Sequence, residues 1–272
     1  MRNHSQIEII VISLRQSAER RAQAALQLNS RGYSWSVQDA VDGATFLQKF
    51  PDEYDRIKRL RYFGSDMIPG QLGCFLSHRE VWKKCIQTQK FTLVLEDDFQ
   101  FHQELSEVLP IALENISLFD ILRLQGFKNG WKYKVLKDYG QNKLVKHYYD
   151  TFGTTAYFVK PASAKILLEK SNRFHAPVDV FFSHDWIHRL NILSIFPYPI
   201  KPSGLPSTIA CYKKRKNKLS LKKKWLTKIY KIPRSVAKRF YRMKTFPMLF
   251  FTKIKQRDED TSGCISPRSV VE

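Results

Sequence analysis

Apolar and polar positions along the 272-residue chain follow two rhythms, one of strands and one of helices. Ile7–Leu14 is a mostly apolar run that predicts the first strand. Ser17 then stands where a helix would be capped, the helical pattern runs to about Asn29, and Gly32 stops it. Tyr33–Val37 predicts a second short strand, leading into the turn DAVDG. Residues 44–62 carry a helical pattern broken by Pro51, and IPG at 68–70 breaks the chain again before a helix over about Gln71–Gln89. FTLVL, FDILRL at 119–124 and TTAYFV at 154–159 predict three further strands, the last followed by a helix from Pro161 to about Lys170. The segment 126–150 is polar and aromatic without a clear period, as expected of a loop carrying a hairpin. Strands alternating with helices predict an α/β fold with a largely parallel sheet.

Composition refines this picture mainly through charge. Hydrophobic residues make up 43% of the chain, enough for one large α/β domain or two smaller ones. The net charge of +21 is uneven: residues 212–257 hold 18 Lys and Arg and no acid, whereas residues 1–211 hold 27 against 21. Charge therefore divides the chain into a mildly basic body, 1–211, and a basic tail, 212–272. None of the four cysteines stands at a CxxC spacing, so they read as free thiols in a reducing compartment. The first apolar run contains Glu8 and is short for a secretory signal, and no run approaches the roughly 20 apolar residues of a membrane span. A cytoplasmic location is expected.

The strand FTLVL ends in three consecutive acids, Glu96, Asp97 and Asp98. In open α/β sheets ligands bind at the carboxyl ends of strands. Side chains alternate along an extended backbone, so Glu96 and Asp98 would share a face. Hard divalent cations take oxygen ligands and bridge carboxylates to diphosphates, which makes Mg²⁺ or Mn²⁺ the fitting partner for the pair. Three ordinary solvated acids are the alternative.

The surroundings of the acids decide between these. IIVISLRQSAERR at 9–21, QDAVDG at 38–43, GQLGCFLSHREVW at 70–82, LVLEDD at 93–98, TTAYFVKPASAKILL at 154–168 and APVDVFF at 176–182 lie in order along the chain. In this combination the sequence resembles glycosyltransferase family 25, the lipopolysaccharide-biosynthesis glycosyltransferases of Gram-negative bacteria. It departs from the usual family pattern at Ser13, where Asn is usual, and at Gln71, where Glu is usual. The resemblance implies a GT-A-like fold, a Rossmann-related sheet flanked by helices that binds a nucleotide sugar. It also implies inversion at the anomeric carbon, with UDP-galactose the commonest donor.

On this reading, Glu96 and Asp98 hold the cation, and Arg20, Asp42, Ser77, His78 and Asp97 contribute to the donor pocket. Arg20 opens the first helix, where guanidinium groups and helix amides can hold phosphate. Cys74, His78, Val81 and Cys85 recur at helical spacing, a stripe that faces a core, so a buried, hydrogen-bonded histidine is the alternative to the pocket-shaping role that the resemblance implies for His78. Gly73 suits a close approach of backbone or ligand. Asp179, flanked by apolar residues, is the candidate general base, since partial desolvation raises a carboxyl toward the range a base needs. Asp185, in SHDW, is its rival, and Trp186 beside it could seat an acceptor sugar.

The tail interleaves its basic residues with aromatics, and Leu221, Trp225, Ile229 and Ile232 recur at helical spacing. A basic amphipathic segment suits an anionic membrane surface, and no nucleic acid is expected. The sequence thus predicts a peripheral enzyme on the inner face of the inner membrane, moving a hexose from a UDP-sugar to a lipid-linked oligosaccharide. A metal-dependent nuclease or phosphotransferase, and a non-enzymatic membrane- or RNA-binding protein, are the alternatives.

Overall fold

The structure is a computed structural model, and it describes residues 7–127, 132–204 and 235–243. An eight-stranded sheet forms its centre. In chain order its strands are β1 (Ile7–Ser13), β2 (Ser36–Asp39), β3 (Phe91–Glu96), β5 (Ile121–Arg123), β6 (Tyr133–Tyr139), β7 (Asn142–His147), β8 (Ala156–Val159) and β9 (Ile192–Phe196). Across the sheet the order is β2-β1-β3-β8-β5-β9-β7-β6. Six strands run one way, and β8 and β7 run against them. A separate pair joins β4 (Phe99–Phe101) to β10 (Ile200–Pro202). The result is a GT-A-like α/β fold with a mostly parallel sheet.

Alternation along the central strands explains why they are apolar throughout. Ile9 and Val11 of β1 face one core with Leu93, Leu95 and Phe158. Ile10 and Ile12 face the other, with Val94, Tyr157 and Val159. Helices α1 (Ala18–Asn29) and α4 (Leu105–Glu114) cover the first face. The second is covered by α3 (Pro69–Thr88), α5 (Pro161–Lys170) and α6 (Val178–Phe182). There Phe75 stacks on Phe174 with ring centres 4.1 Å apart, and Trp82 is fully buried. Full burial of such side chains contributes about 1.5–3 kcal/mol each.

Local departures from the sequence expectations have local causes. The second strand starts later than Tyr33, because β2 pairs with β1 only from Ser36, while Tyr33 and Trp35 pack against the first core. Residues 44–62 form only a 3₁₀ turn, Gly43–Phe46, and the short helix α2 (Arg56–Phe63), each with an acid accepting at its start: Asp42 from Ala44 N–H and Asp55 from Lys58 N–H. Ser17 occupies the cap position of α1 but makes no side-chain capping bond. Gly32 has φ +69°, as a helix stop requires. The hairpin expected within 126–150 is β6–β7. The stripe Leu221, Trp225, Ile229 and Ile232 lies outside the described residues. Among the described residues no helix is long and apolar enough to cross a membrane.

One contact fixes where α3 sits. A Cβ on Gly73 would collide with the Val41 carbonyl, and one on Gly43 with the Pro69 carbonyl, so two stretches of main chain touch directly. Alanine at a helix interior normally gains about 1 kcal/mol over glycine. Here the backbone collision outweighs that gain, and Gly73→Ala should destabilise by about 2 kcal/mol. Chemical denaturation checks this; a variant as stable as the parent would show that the contact yields without cost.

Candidate active site

β1 and β3 lie side by side and parallel, so Ser13 and the three acids reach the same edge of the sheet. β8 runs against β3 with Leu95 opposite Ala156, which delivers Thr154 and Thr155 to that edge as well. The chain turns at Asp97 and Asp98, so β3 ends at Glu96. Main-chain bonds hold the turn from three sides: Glu96 N–H donates to Thr155 O (2.8 Å), Asp97 N–H to Ile12 O (3.1 Å) and Ser203 N–H to Asp98 O (2.6 Å).

The three carboxylates have different environments. Asp97 accepts from Ser13 Oγ (2.6 Å) and pairs with Arg20 Nη1 (2.9 Å), both side chains nearly enclosed. Arg21 donates instead to Ser13 O (2.8 Å) and Asp39 Oδ1 (2.6 Å), tying the ends of β1 and β2. Glu96 Oε1 accepts from Thr154 Oγ1 (2.6 Å) and meets His78 Nε2 (3.1 Å). Asp98 Oδ1 is buried and has no hydrogen-bond partner among the described residues. Burial first, and then the charge of Glu96, raise the Asp98 carboxyl to about 7.

A chain of hydrogen bonds orients Glu96. Trp82 Nε1 donates to Tyr157 Oη (3.0 Å), and Tyr157 Oη lies 2.8 Å from His78 Nδ1. Indole only donates, so the phenol keeps its own proton for Nδ1, and Nε2–H is left to face Glu96. Burial pushes the Tyr157 phenol far up, so it stays protonated. For Glu96 burial pulls upward, but the bond from His78, its proximity and the bond from Thr154 outweigh it, and the carboxyl lies below its ordinary value. Sequence reasoning missed Trp82, Tyr157 and Thr154 as parts of the site. A tyrosine in a fully buried strand is itself a sign, because its hydroxyl needs a partner there.

Glu96 and His78, at the end of this chain of bonds, line a cleft of about 320 Å³. Arg20, Asp42, Ser77, His78, Glu96, Asp97 and Asp98 all border it, so the structure brings together every residue assigned from the sequence to donor or metal. Ser77 Oγ donates to Gly73 O (2.7 Å) and accepts from Val41 N–H (2.8 Å), which fixes the wall formed by 41–44. The two departures from the family pattern also have partners: Ser13 holds Asp97, and Gln71 Oε1 accepts from Ile68 N–H (3.2 Å) at the start of α3.

The donor set at the edge suits a hard cation. Asp98 presents an orphaned buried oxygen, and a divalent ion would supply the partner it lacks. Cys74, His78 and Glu96 also bring ligand atoms within 4.8 Å of one another. That trio fits a metal less well: burial raises the Cys74 thiol well above its ordinary value, and both His78 nitrogens already face partners.

The candidates for the acceptor side separate. Asp179, in the first turn of α6, accepts from Val180 N–H (2.8 Å). Burial raises its carboxyl, Arg123 opposes and Glu96 adds to the rise. Arg123, another residue that sequence reasoning passed over, donates to Phe152 O (2.8 Å) and Gly153 O (2.6 Å), holding the loop that presents Thr154. Asp185 begins α7 (Asp185–His188) and lines a different cavity of about 50 Å³. There it pairs with Arg242 Nε at 2.9 Å, from a helical segment at 235–243. Trp186 carries Lys238 of the same segment over its ring at 5.6 Å. Asp185 and Trp186 are thus packed against the segment 235–243, and neither they nor Asp179 border the donor cleft.

A cleft at the carboxyl edge of an α/β sheet, bordered by a fixed acid turn, is a ligand site of the kind open sheets build. Residues 6–182 match the model of glycosyltransferase family 25 (LPS biosynthesis protein). The chain belongs to that family. It is 32% identical over 114 residues to human procollagen galactosyltransferase 2, covering 40% of this chain and 18% of the relative. It is 29% identical over 194 residues to mouse inactive glycosyltransferase 25 family member 3, covering 64% and 31%. A glycosyltransferase 25 family member of Aedes aegypti is 28% identical over 183 residues, covering 60% and 28%. The chain therefore spans less than a third of the length of each of these relatives.

The Asp98 environment has a consequence with a defined sign. A carboxyl raised by folding costs stability above its folded value, near 7, and costs nothing once the unfolded chain is also protonated. In metal-free protein Asp98→Asn should raise the melting temperature at about pH 8 and leave it unchanged near pH 3. Mn²⁺ should stabilise the parent at about pH 8, with affinity falling about tenfold per unit below 7 as a proton competes for Asp98. Thermal scans with and without Mn²⁺ across pH test both, and equal Mn²⁺ shifts in parent and variant would remove Asp98 as a ligand.

Proposed function

We propose that the protein is an inverting hexosyltransferase that moves galactose from UDP-galactose to a lipid-linked oligosaccharide at the cytoplasmic face of the inner membrane. The observation that carries the reading is the acid turn: Asp97 is committed to Arg20 and Ser13, while Asp98 retains a buried oxygen without a partner at the edge of the cleft. Glu96 and Asp98 would hold Mn²⁺ or Mg²⁺, which supplies positive charge to the diphosphate as it leaves. The cleft wall at Asp42–Ala44 and the start of α1 would orient the nucleotide. Asp179 would take the proton from the acceptor hydroxyl as its oxygen bonds to the anomeric carbon and the bond from that carbon to UDP breaks. The raised carboxyl of Asp179 supports this role, because a base must hold its proton well enough to accept it. Galactose as the sugar is supported by the galactosyltransferase among the relatives, and a role in lipopolysaccharide biosynthesis by the family's description.

A screen of UDP-sugars for metal-dependent hydrolysis and transfer tests the reading. Asp98→Asn should lower turnover by about a thousandfold or more at saturating Mn²⁺. Asp179→Asn should keep donor affinity within about twofold and lose about 10²–10⁴ in transfer. Near-normal turnover of the first variant would refute the metal assignment; loss of donor binding by the second would make Asp179 structural.

A further inference from the structure

The helical segment 235–243 faces the opposite way from an ordinary surface helix. Its charged side points to the body. Lys238 pairs with Asp150, and Arg242 pairs with Asp150 (2.9 Å) and Asp185 (2.9 Å) and donates to Tyr148 O (3.1 Å). Its apolar side points away: Val236, Phe240 and Met243 are 51%, 71% and 44% exposed. Spaced at i, i+4 and i+7, the three form one stripe. An exposed stripe on a helix whose ion pairs are turned inward marks an interaction face.

We infer that this stripe docks on an anionic lipid surface. Arg239 is exposed on the same short helix, and the sequence around it, 212–257, holds 18 Lys and Arg and no acid. An anionic bilayer offers acyl chains for Phe240 and Met243 and headgroup charge for the basic residues around them. Lys238 and Arg242 are held by Asp150 and Asp185, so they anchor the helix to the body while the stripe meets the lipid. The choice of lipid as occupant rests in part on the lipid-linked acceptor proposed above, although the readouts below need no transfer.

The test follows an indole placed in the stripe. Phe240→Trp is mixed with phosphatidylglycerol–phosphatidylcholine vesicles with and without brominated acyl chains, and the signal of the five native tryptophans is subtracted using the parent protein. Quenching by bromine in anionic vesicles, and none in pure phosphatidylcholine, is expected. A second protein carrying Val236→Ser, Phe240→Ser and Met243→Ser should sediment with anionic vesicles about 100-fold more weakly. Its melting temperature and UDP-sugar hydrolysis should match the parent, because these side chains take no part in the pairs to Asp150 and Asp185. An unquenched indole, or undiminished sedimentation, overturns the inference. So does self-association of the parent that the triple substitution abolishes, which would make a second copy the occupant. Quenching in a protein that hydrolyses no UDP-sugar would overturn the donor assignment and leave the docking face standing.

Discussion

A sheet covered on both faces can collect polar groups only where its strands end. The middle residues of β1 and β3 are apolar on each side, and the one charge along their length before the acid turn, Glu8, lies at the far end of β1 beside Lys84. Their parallel pairing brings their ends to one edge, and the reversed β8 begins where β3 stops. Ser13, Glu96, Asp97, Asp98 and Thr154 therefore meet through topology, although they come from three separate parts of the chain. The helices that bury the two faces supply the remaining partners: α1 brings Arg20, and α3 brings His78.

Three neighbouring carboxylates repel one another, and the edge resolves the repulsion by giving each a different role. Arg20 neutralises Asp97 within the protein. Glu96 is held through His78 by a string of bonds that starts at Trp82 in the core, so packing and charge are coupled there. Asp98 keeps a buried oxygen that has no partner among the described residues. Its cost to the metal-free protein and its value to a bound cation would have one origin, since an oxygen satisfied internally would have nothing to offer a ligand.

Much of the fold was legible because its strands are short, apolar and separated by strong breaks such as Gly32, Pro51 and IPG at 68–70. The acid cluster was legible because three acids after a buried strand violate the local pattern. Asp97 shows where reading stopped. Alternation predicted that it would point away from Glu96 and Asp98, but its assignment to the donor could not anticipate Arg20 and Ser13, which are distant in sequence. Arg123 reads only as part of the strand FDILRL, and its role depends on the loop at 152–153, which no periodicity describes. Asp185 and Trp186 looked like site residues because an acid beside an aromatic is common in sugar sites; only packing reveals that Arg242 and Lys238 cover them.

That cover changes what a deletion would mean. Charge alone suggests a cut near residue 212, with a catalytic body on one side and an address label on the other. Lys238 and Arg242 are the counter-ions of Asp150 and Asp185, whose side chains are at most about one-fifth exposed. A chain shortened there would present two carboxylates stripped of their cations beside Lys146, in a crevice newly open to solvent. Such a fragment is a differently charged enzyme with its own pH and salt behaviour, so its properties cannot be subtracted from those of the whole chain to yield the contribution of the tail.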